Sequence, residues 1–163
     1  MPATVRIASS TAELGAHMAV RARVFVEEQR LFDASDRDPW DESALHAVAL
    51  RDGEVIGAVR LYALDEAGLW KGDRLAVLPE ARRTTTAREL VRFAVATAAA
   101  LGGGLMLAQV QTPNVRFFER LGWEPMGHPF EYRGVPHRRM SIGLARGGRL
   151  ADVWESGAAL SGR

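Results

Sequence analysis

One stretch limits the architecture of this chain more than any other. In "TARELVRFAVATAAAL" (86–101), Leu90, Phe93, Ala94, Ala98 and Leu101 recur at helical spacing, and Gly102, Gly103 and Gly104 stop the pattern. The apolar run "RLAV" (74–77) lies ahead of it and "LMLAQVQ" (105–111) behind it. The overlapping segment "FAVATAAALGGGLMLAQV" (93–110) carries no charge over nearly the length of a membrane span. It is mostly alanine and glycine, and the glycines interrupt it. A buried helix, a turn and a buried strand account for it, so no membrane segment is expected.

The rest of the chain supplies partners for that unit. "TVRIAS" reads as a first strand, and "TAELGAHMAVRARVFVEEQ" (11–29) as a helix with Leu14, Met18 and Phe25 on one stripe and Ser10 or Thr11 as its cap. Residues 31–43 form an acidic loop. Two apolar runs meet at Asp52 and Gly53, which signals a hairpin, and the turn "DEAG" (65–68) leads into a third strand, "LWKGDRLAV". Thr112 and Pro113 suit the start of a short helix, "NVRFFERL", with Gly122 at its end. "PFEYRGVPHRRMSIGL" reads as a last hairpin. The order β-α-β-β-β-α-β-α-β-β predicts one α/β (α+β) domain over residues 1–145, built on a mixed sheet. The tail, 146–163, is weakly patterned and is read as a short helix or a disordered end.

Composition excludes several functions. Net charge is +1 over 163 residues, so no global field draws the chain to nucleic acid. Lys71 is the only lysine. There is no cysteine, hence no disulfide, no thiolate zinc ligand and no cysteine nucleophile. "MPATVRIASS" lacks the apolar core of a signal peptide, so a cytoplasmic location is expected.

"LAVLPEARRTTTAREL" (75–90) carries the chemistry. Thr86 with Glu89 fits a capping box, which would start the helix near Thr86. A helix N-terminus leaves backbone N–H groups without intrahelical partners, and its dipole favours an anion. Arg82 and Arg83 offer charge-assisted bonds, and Thr84 and Thr85 offer hydroxyls. The stretch suits a phosphate or pyrophosphate. A capped surface helix behind a solvated arginine pair is the competing account. The Walker pattern and the Rossmann glycines are both missing.

That stretch, followed about twenty residues on by "NVRFFERLGW", resembles the GNAT family of N-acetyltransferases. Arg82, Thr85 and Ala87 occupy the positions of that family's Arg/Gln-x-x-Gly-x-Gly/Ala coenzyme A loop. Asn114, then Phe117 and Phe118, then Leu121, Gly122 and Trp123 occupy its later helix motif. The likeness extends over roughly residues 4–144. Arg21, Val24, Phe25, Val26, Glu28 and Gln29, then Asp36, Asp38 and Asp41, then His46, resemble the ElaA-like acetyltransferases and, more distantly, acyl-homoserine lactone synthases. The whole chain is most similar to N-acetyltransferases of bacterial nitrogen-starvation gene clusters. Two positions depart from the family. Thr85 stands for the loop's first glycine, with Thr86 beside it, where glycine lets a pyrophosphate approach the backbone. Phe118 stands where a tyrosine often serves as general acid.

The resemblance implies a mixed, mostly antiparallel sheet of six to seven strands flanked by helices. It implies acetyl-CoA as co-substrate, no metal, and a small-molecule amine acceptor that attacks the thioester directly; a homodimer is left open. Leu75, Ala76 and Val77 would supply the oxyanion donor, and the loop 82–87 with Asn114, Phe117 and Phe118 would hold the coenzyme. The catalytic candidates are Glu28, His46 and Asp38, with Asp36 and Asp41 beside them. Glu28, next to an apolar stripe, is preferred as base with a raised pKa; a solvated, arginine-paired glutamate is the alternative. The aspartates would recognise a cationic acceptor, cap turns or simply be solvated. His46 is either catalytic or a satisfied strand histidine, and with the aspartates it matches no standard metal spacing. His137 supports the last strand or coenzyme phosphates. Trp40, Trp70 and Tyr132 line an acceptor pocket or pack the core. The competing functions are a non-catalytic acyl-CoA-binding module and an acyl-homoserine-lactone synthase.

Overall fold

Asp52 and Gly53 both take positive φ, 53° and 81°. That is the two-residue hairpin turn whose twist matches the strands beside it. It joins β2 (Leu45–Arg51) to β3 (Glu54–Ala63) and sets the register of a sheet to which every other strand is added. A computed structural model describes residues 2–144, so the tail from residue 146 lies outside the described residues. The remaining strands are β1 (Thr4–Ile7), β4 (Leu69–Val77), β5 (Leu105–Gln111), β6 (Glu124–Tyr132) and β7 (Val135–Gly143). Their order is β1-β2-β3-β4-β5-β7-β6. All neighbours are antiparallel except β4 and β5. The expected mixed, mostly antiparallel sheet is what forms.

The helices cover both faces. α1 (Thr11–Arg21) starts at Ser10, whose Oγ accepts the Glu13 N–H at 3.1 Å. It runs on as a π-helical segment, Ala22–Glu28. α2 (Thr86–Ala100) ends at Gly102, whose φ of +92° only glycine adopts at little cost. α3 (Val115–Arg120) follows a 3-10 turn, Thr112–Asn114, with no side-chain cap from Thr112. No described helix is long and apolar enough to cross a membrane. One apolar cluster, with Leu90, Phe93, Ala94, Met106, Val110 and Met140, fills the α2 face. A second, with Val20, Val24, Phe25, Leu31, Phe32, Ala58 and Ala76, fills the α1 face.

The α1 stripe differs from the expected one. Leu14 is 38% exposed, while His17, Val20, Arg21, Val24 and Phe25 are buried. A π turn is wider than an α turn, so the buried face shifts phase at Ala22. The buried arginine and histidine find polar partners that offset their desolvation.

The two features that shape the molecule's centre lie on β4. Its ladder with β3 passes from Ala58↔Ala76 to Arg60↔Asp73, so Arg74 and Leu75 bulge opposite Val59. Arg74 takes φ +53° to do so. On its other edge β4 pairs with β5 only at Leu69↔Leu105, Trp70↔Met106 and Lys71↔Leu107. Beyond Lys71 the two strands part, while β5 stays in register with β7 up to Gln111↔His137.

The base of that fork is packed around Gly103. A Cβ there would lie 2.7 Å from Leu144 Cδ1, 2.8 Å from the Ala98 carbonyl and 2.8 Å from Trp70 Cδ1. Gly103→Ala therefore costs about 1–3 kcal/mol in urea unfolding, the usual range for overpacking.

Candidate active site

Where β4 and β5 part, a cleft of about 380 Å³ opens through the sheet. Val91 and Ala94 of α2 line it from one face; Phe25, Gln29, Phe32 and Trp40 line it from the other. Its walls include Leu75 on the bulge and Gln109 and Gln111 on β5. Strand backbone that lacks a neighbouring strand presents unpaired N–H and C=O groups along that edge. The fork thus supplies fixed backbone dipoles in a slot lined by both polar and apolar side chains.

The acidic loop 31–43 leaves most of its residues exposed but turns Asp36, Asp38 and Asp41 inwards. It carries the carboxylates of a buried ionic network that fixes the α1-side wall of the cleft. Arg21, with its side chain fully buried, holds Asp36 through Nε at 2.7 Å and Asp41 through Nη1 at 2.8 Å. Arg60, also fully buried, donates two bonds to Asp73, each 2.7 Å, and two to Asp38 at 2.6 and 3.1 Å. Arg74 ties Asp36 at 3.0 Å to Asp38 at 3.3 Å. Asp38 also caps the 3-10 turn Pro39–Glu42 by accepting the Trp40 N–H, and Asp41 accepts the Asp38 N–H in return. Trp40 is thereby set in a stack on Tyr62, ring centres 4.4 Å apart. Burial works against the charged forms of Asp38 and Asp41, but bonds and charge from Arg60, Arg74 and Arg21 outweigh it and hold both carboxyls low.

His46 belongs to the same network. It donates Nε2–H to the Asp41 carbonyl at 3.0 Å, and its Nδ1 lies 3.2 Å from His17 Nε2. His17 donates Nδ1–H to the Ala47 carbonyl. Burial pushes His17 down to about 3 and lowers His46 as well. Nε2 of His46 is thus bonded to a backbone carbonyl, its Nδ1 faces the His17 ring, and the residue is not among those lining the cleft.

Glu28 lies outside the cleft lining. Its carboxylate takes two 2.6 Å bonds from Arg82, which hold its pKa below the usual carboxylate range rather than above it. Arg82 is spent on that pair and on the Val77 carbonyl at 2.9 Å. At the mouth of α2 the expected capping box does not form. Thr85 is the cap position but makes no side-chain bond, and Glu89 lies beside Arg88 instead. Thr84 donates to the Ala81 carbonyl at 2.6 Å and lies 2.8 Å from the Thr86 hydroxyl. Thr86 is buried with its methyl towards Gly57. The hydroxyls thus brace the loop. The Ala87 and Arg88 N–H groups have no acceptor among the described residues, and Arg83 is exposed with no carboxylate partner among them. Ala87 sits one helical turn ahead of Val91, which lines the cleft.

The cleft therefore gathers Asp38, Leu75, Asn114 and Phe118 of the expected site residues, with Trp40, Tyr132 and His137. Ala76, Val77, Phe117 and Trp70 pack in or against the cores. Lys71, Tyr62, Gln109 and Gln111 line the cleft without having been expected there. The lone lysine in an arginine-rich chain was the available signal for Lys71.

Acid should dismantle the network in a defined direction. A carboxyl whose folded pKa is depressed contributes stability above its unfolded value and loses it as pH falls. The thermal midpoint should therefore drop steeply below pH ~4, near the unfolded aspartate value. Asp41→Asn should start lower at pH 7 and lose less on acidification; an unchanged acid slope would mean Asp41 carries no such linkage.

Comparison with known proteins gives this geometry relatives. Residues 16–123 match the acetyltransferase (GNAT) family. The fold is similar to that of a candidate N-acetyltransferase from Lactobacillus plantarum, with a TM-score of 0.80 at 23% identity over 89% of this chain and 100% of that one. Escherichia coli ElaA gives 0.76 at 20% identity, over 85% of this chain and 98% of its own. A GNAT phosphinothricin acetyltransferase from Sinorhizobium meliloti, solved in complex with AcCoA, gives 0.69 at 20% identity, over 91% of each chain.

Proposed function

The chain belongs to the acetyltransferase (GNAT) family, and on that premise we propose that it is an N-acyltransferase that moves an acetyl group from acetyl-CoA to the amine of a small molecule. The observation that carries this is the cleft at the fork of β4 and β5, with Val91 and Ala94 of α2 in its lining. A thioester in the fork would meet unpaired backbone N–H groups near Leu75, placed where negative charge develops on its carbonyl oxygen. The pyrophosphate would sit at the α2 mouth on the Ala87 and Arg88 N–H groups, with Arg83 as its counter-charge.

The residues present fit the coenzyme, with one adjustment to the family pattern. Arg82 is a loop brace bonded to Glu28, so Arg83 takes the electrostatic part. The threonine hydroxyls hold the loop's shape, and the first-turn N–H groups do the binding. Phe118 packs edge-on against Phe117 and Trp123 at 5.5 and 5.4 Å and lines the cleft. It shapes the slot but has no proton to give. Loss of a thiolate is feasible without an acid, since an ordinary thiol has pKa about 8.5.

The acceptor would approach from the α1 face, past Trp40, Tyr62, Phe32 and Tyr132. Asp38 and Asp73 there are already neutralised by Arg60 and Arg74. Recognition of a cationic acceptor by these carboxylates is therefore not what the geometry favours.

Acetyl-CoA at ~100 times its Kd should stabilise the protein by about 2.7 kcal/mol. Arg83→Ala should weaken binding by about 1 kcal/mol, roughly fivefold in Kd. Thiol release from acetyl-CoA with a panel of primary amines tests the transfer itself. Stabilisation with no release from any amine would make the chain a coenzyme-binding module; no stabilisation would remove the coenzyme from the account.

A further inference from the structure

An acceptor amine reaches the cleft as an ammonium and must lose a proton before its lone pair can attack. None of the groups expected to take that proton is free in the cleft. Glu28 is bonded to Arg82, Asp38 to Arg60 and Arg74 and Asp41 to Arg21, while His46 gives Nε2–H to the Asp41 carbonyl and does not line the cleft. One imidazole remains in the cleft wall, that of His137.

Its surroundings define its state. His137 Nδ1 lies 2.7 Å from the Val135 carbonyl oxygen. A carbonyl only accepts, so Nδ1 carries the hydrogen and Nε2 keeps a lone pair. Nε2 has no partner among the described residues. The ring is fixed between Phe130, stacked with centroids 5.8 Å apart, and Tyr132, edge-on at 5.5 Å. With 4% of its surface exposed, it has little freedom to turn.

Strand alternation places the ring on the acceptor side of the sheet. His137 is opposite Gln111, and Arg139 is opposite Gln109. Their neighbours Val110 and Met140 pack into the α2-side core, so His137, Gln109 and Gln111 face the other way. Gln111 confirms that side by donating to Gln29 at 3.0 Å. Tyr132 links His137 to Phe32 of the acidic loop, with rings 6.5 Å apart. The titratable and charged groups on the hairpin that carries it are Glu124, His128, Glu131 and Tyr132 on β6, Arg133 at the turn, and Arg138 and Arg139 on β7.

We propose that His137 is the general base of the transfer, an assignment that rests on the acyltransferase function proposed above. The proton balance is as follows. The acceptor ammonium gives one proton to Nε2, and Nδ1–H stays on the Val135 carbonyl. The freed amine lone pair forms the C–N bond, and the thioester π electrons move onto oxygen. When the carbonyl re-forms, the C–S bond breaks and sulfur leaves with the electron pair. The second amine proton neutralises the thiolate, and imidazolium returns its proton to water. Amide, free coenzyme thiol and one proton are released.

The test compares the full-length protein with His137→Gln, and with His128→Gln at an exposed histidine as control. Three quantities are read: acetyl-CoA binding by thermal shift, kcat for thiol release with primary amines across pH, and ring tautomers by long-range proton–nitrogen NMR. The expected result is unchanged acetyl-CoA binding and kcat lower by roughly 10²–10⁴-fold in His137→Gln. The acidic limb of the wild-type pH profile should be lost, and the wild-type His137 ring should be protonated at Nδ1. His128→Gln should match wild type. Retention of kcat within threefold in His137→Gln overturns the assignment, as does a wild-type ring protonated at Nε2. If the variant misfolds, the tautomer and its response to a bound amine decide in the wild-type protein. Failure of acetyl-CoA to bind wild type would instead remove the acyltransferase function, and binding without release from any amine, water included, overturns the base with it.

Discussion

The parallel contact between β4 and β5 covers three residue pairs and then stops. The rest of the molecule is arranged around that interruption. β4 cannot follow β5, because the bulge at Arg74 and Leu75 bends it towards β3, and β5 cannot follow β4, because β7 holds it to its last residue. Two apolar clusters, one on each face, keep the sheet together where its ladder is broken. Broken ladders are costly unless the freed backbone groups find water or a ligand. Here they line a cleft covered on one face by α2, the place proposed above for the acyl thioester.

The ionic network is the second constraint, and it follows from the first. A wall must stand on the α1 side of the cleft, and the loop 31–43 has no strand pairing to hold it. Three arginines from α1, β3 and β4 hold it through Asp36, Asp38 and Asp41, with Asp73 completing the set. Buried ion pairs are poor sources of net stability, but breaking one is costly, so they specify one arrangement of the loop. The consequence for chemistry is that the carboxylates nearest the cleft are fixed as anions and bonded to arginine. They position Trp40 and Tyr62 and leave proton transfer to another group. Lys71 is left as the cleft's cation without a carboxylate partner among the described residues.

Much of the fold was legible because its signals are local. The Asp52-Gly53 turn, the glycines after α2, the Ser10 cap and the period of Leu90, Phe93 and Ala94 each depend on residues close in sequence. The seven-strand order and the family motifs followed. The site was legible only in part. Arg82 and Arg83 look equivalent in sequence, and only the position of Glu28, 54 residues away, separates a brace from a free charge. The loop aspartates read as solvated because their arginine partners lie 15–38 residues off along the chain. One clue was present: Arg60 interrupts the apolar run "VIGAVRLYAL", and a charge at a buried strand position requires a partner. The π-helical phase shift that buries His17 and Arg21 in place of Leu14 has no comparable marker. His137 was visible, but its free nitrogen depends on a carbonyl two residues away and on two rings across a hairpin.

A structure of the protein with acetyl-CoA bound tests the central claim most directly. The account predicts the thioester inside the fork beyond Lys71, its carbonyl oxygen on a backbone N–H near Leu75, and the pyrophosphate on the Ala87 and Arg88 N–H groups beside Arg83. A coenzyme bound elsewhere, with β4 and β5 closed on each other or the fork empty, would contradict it.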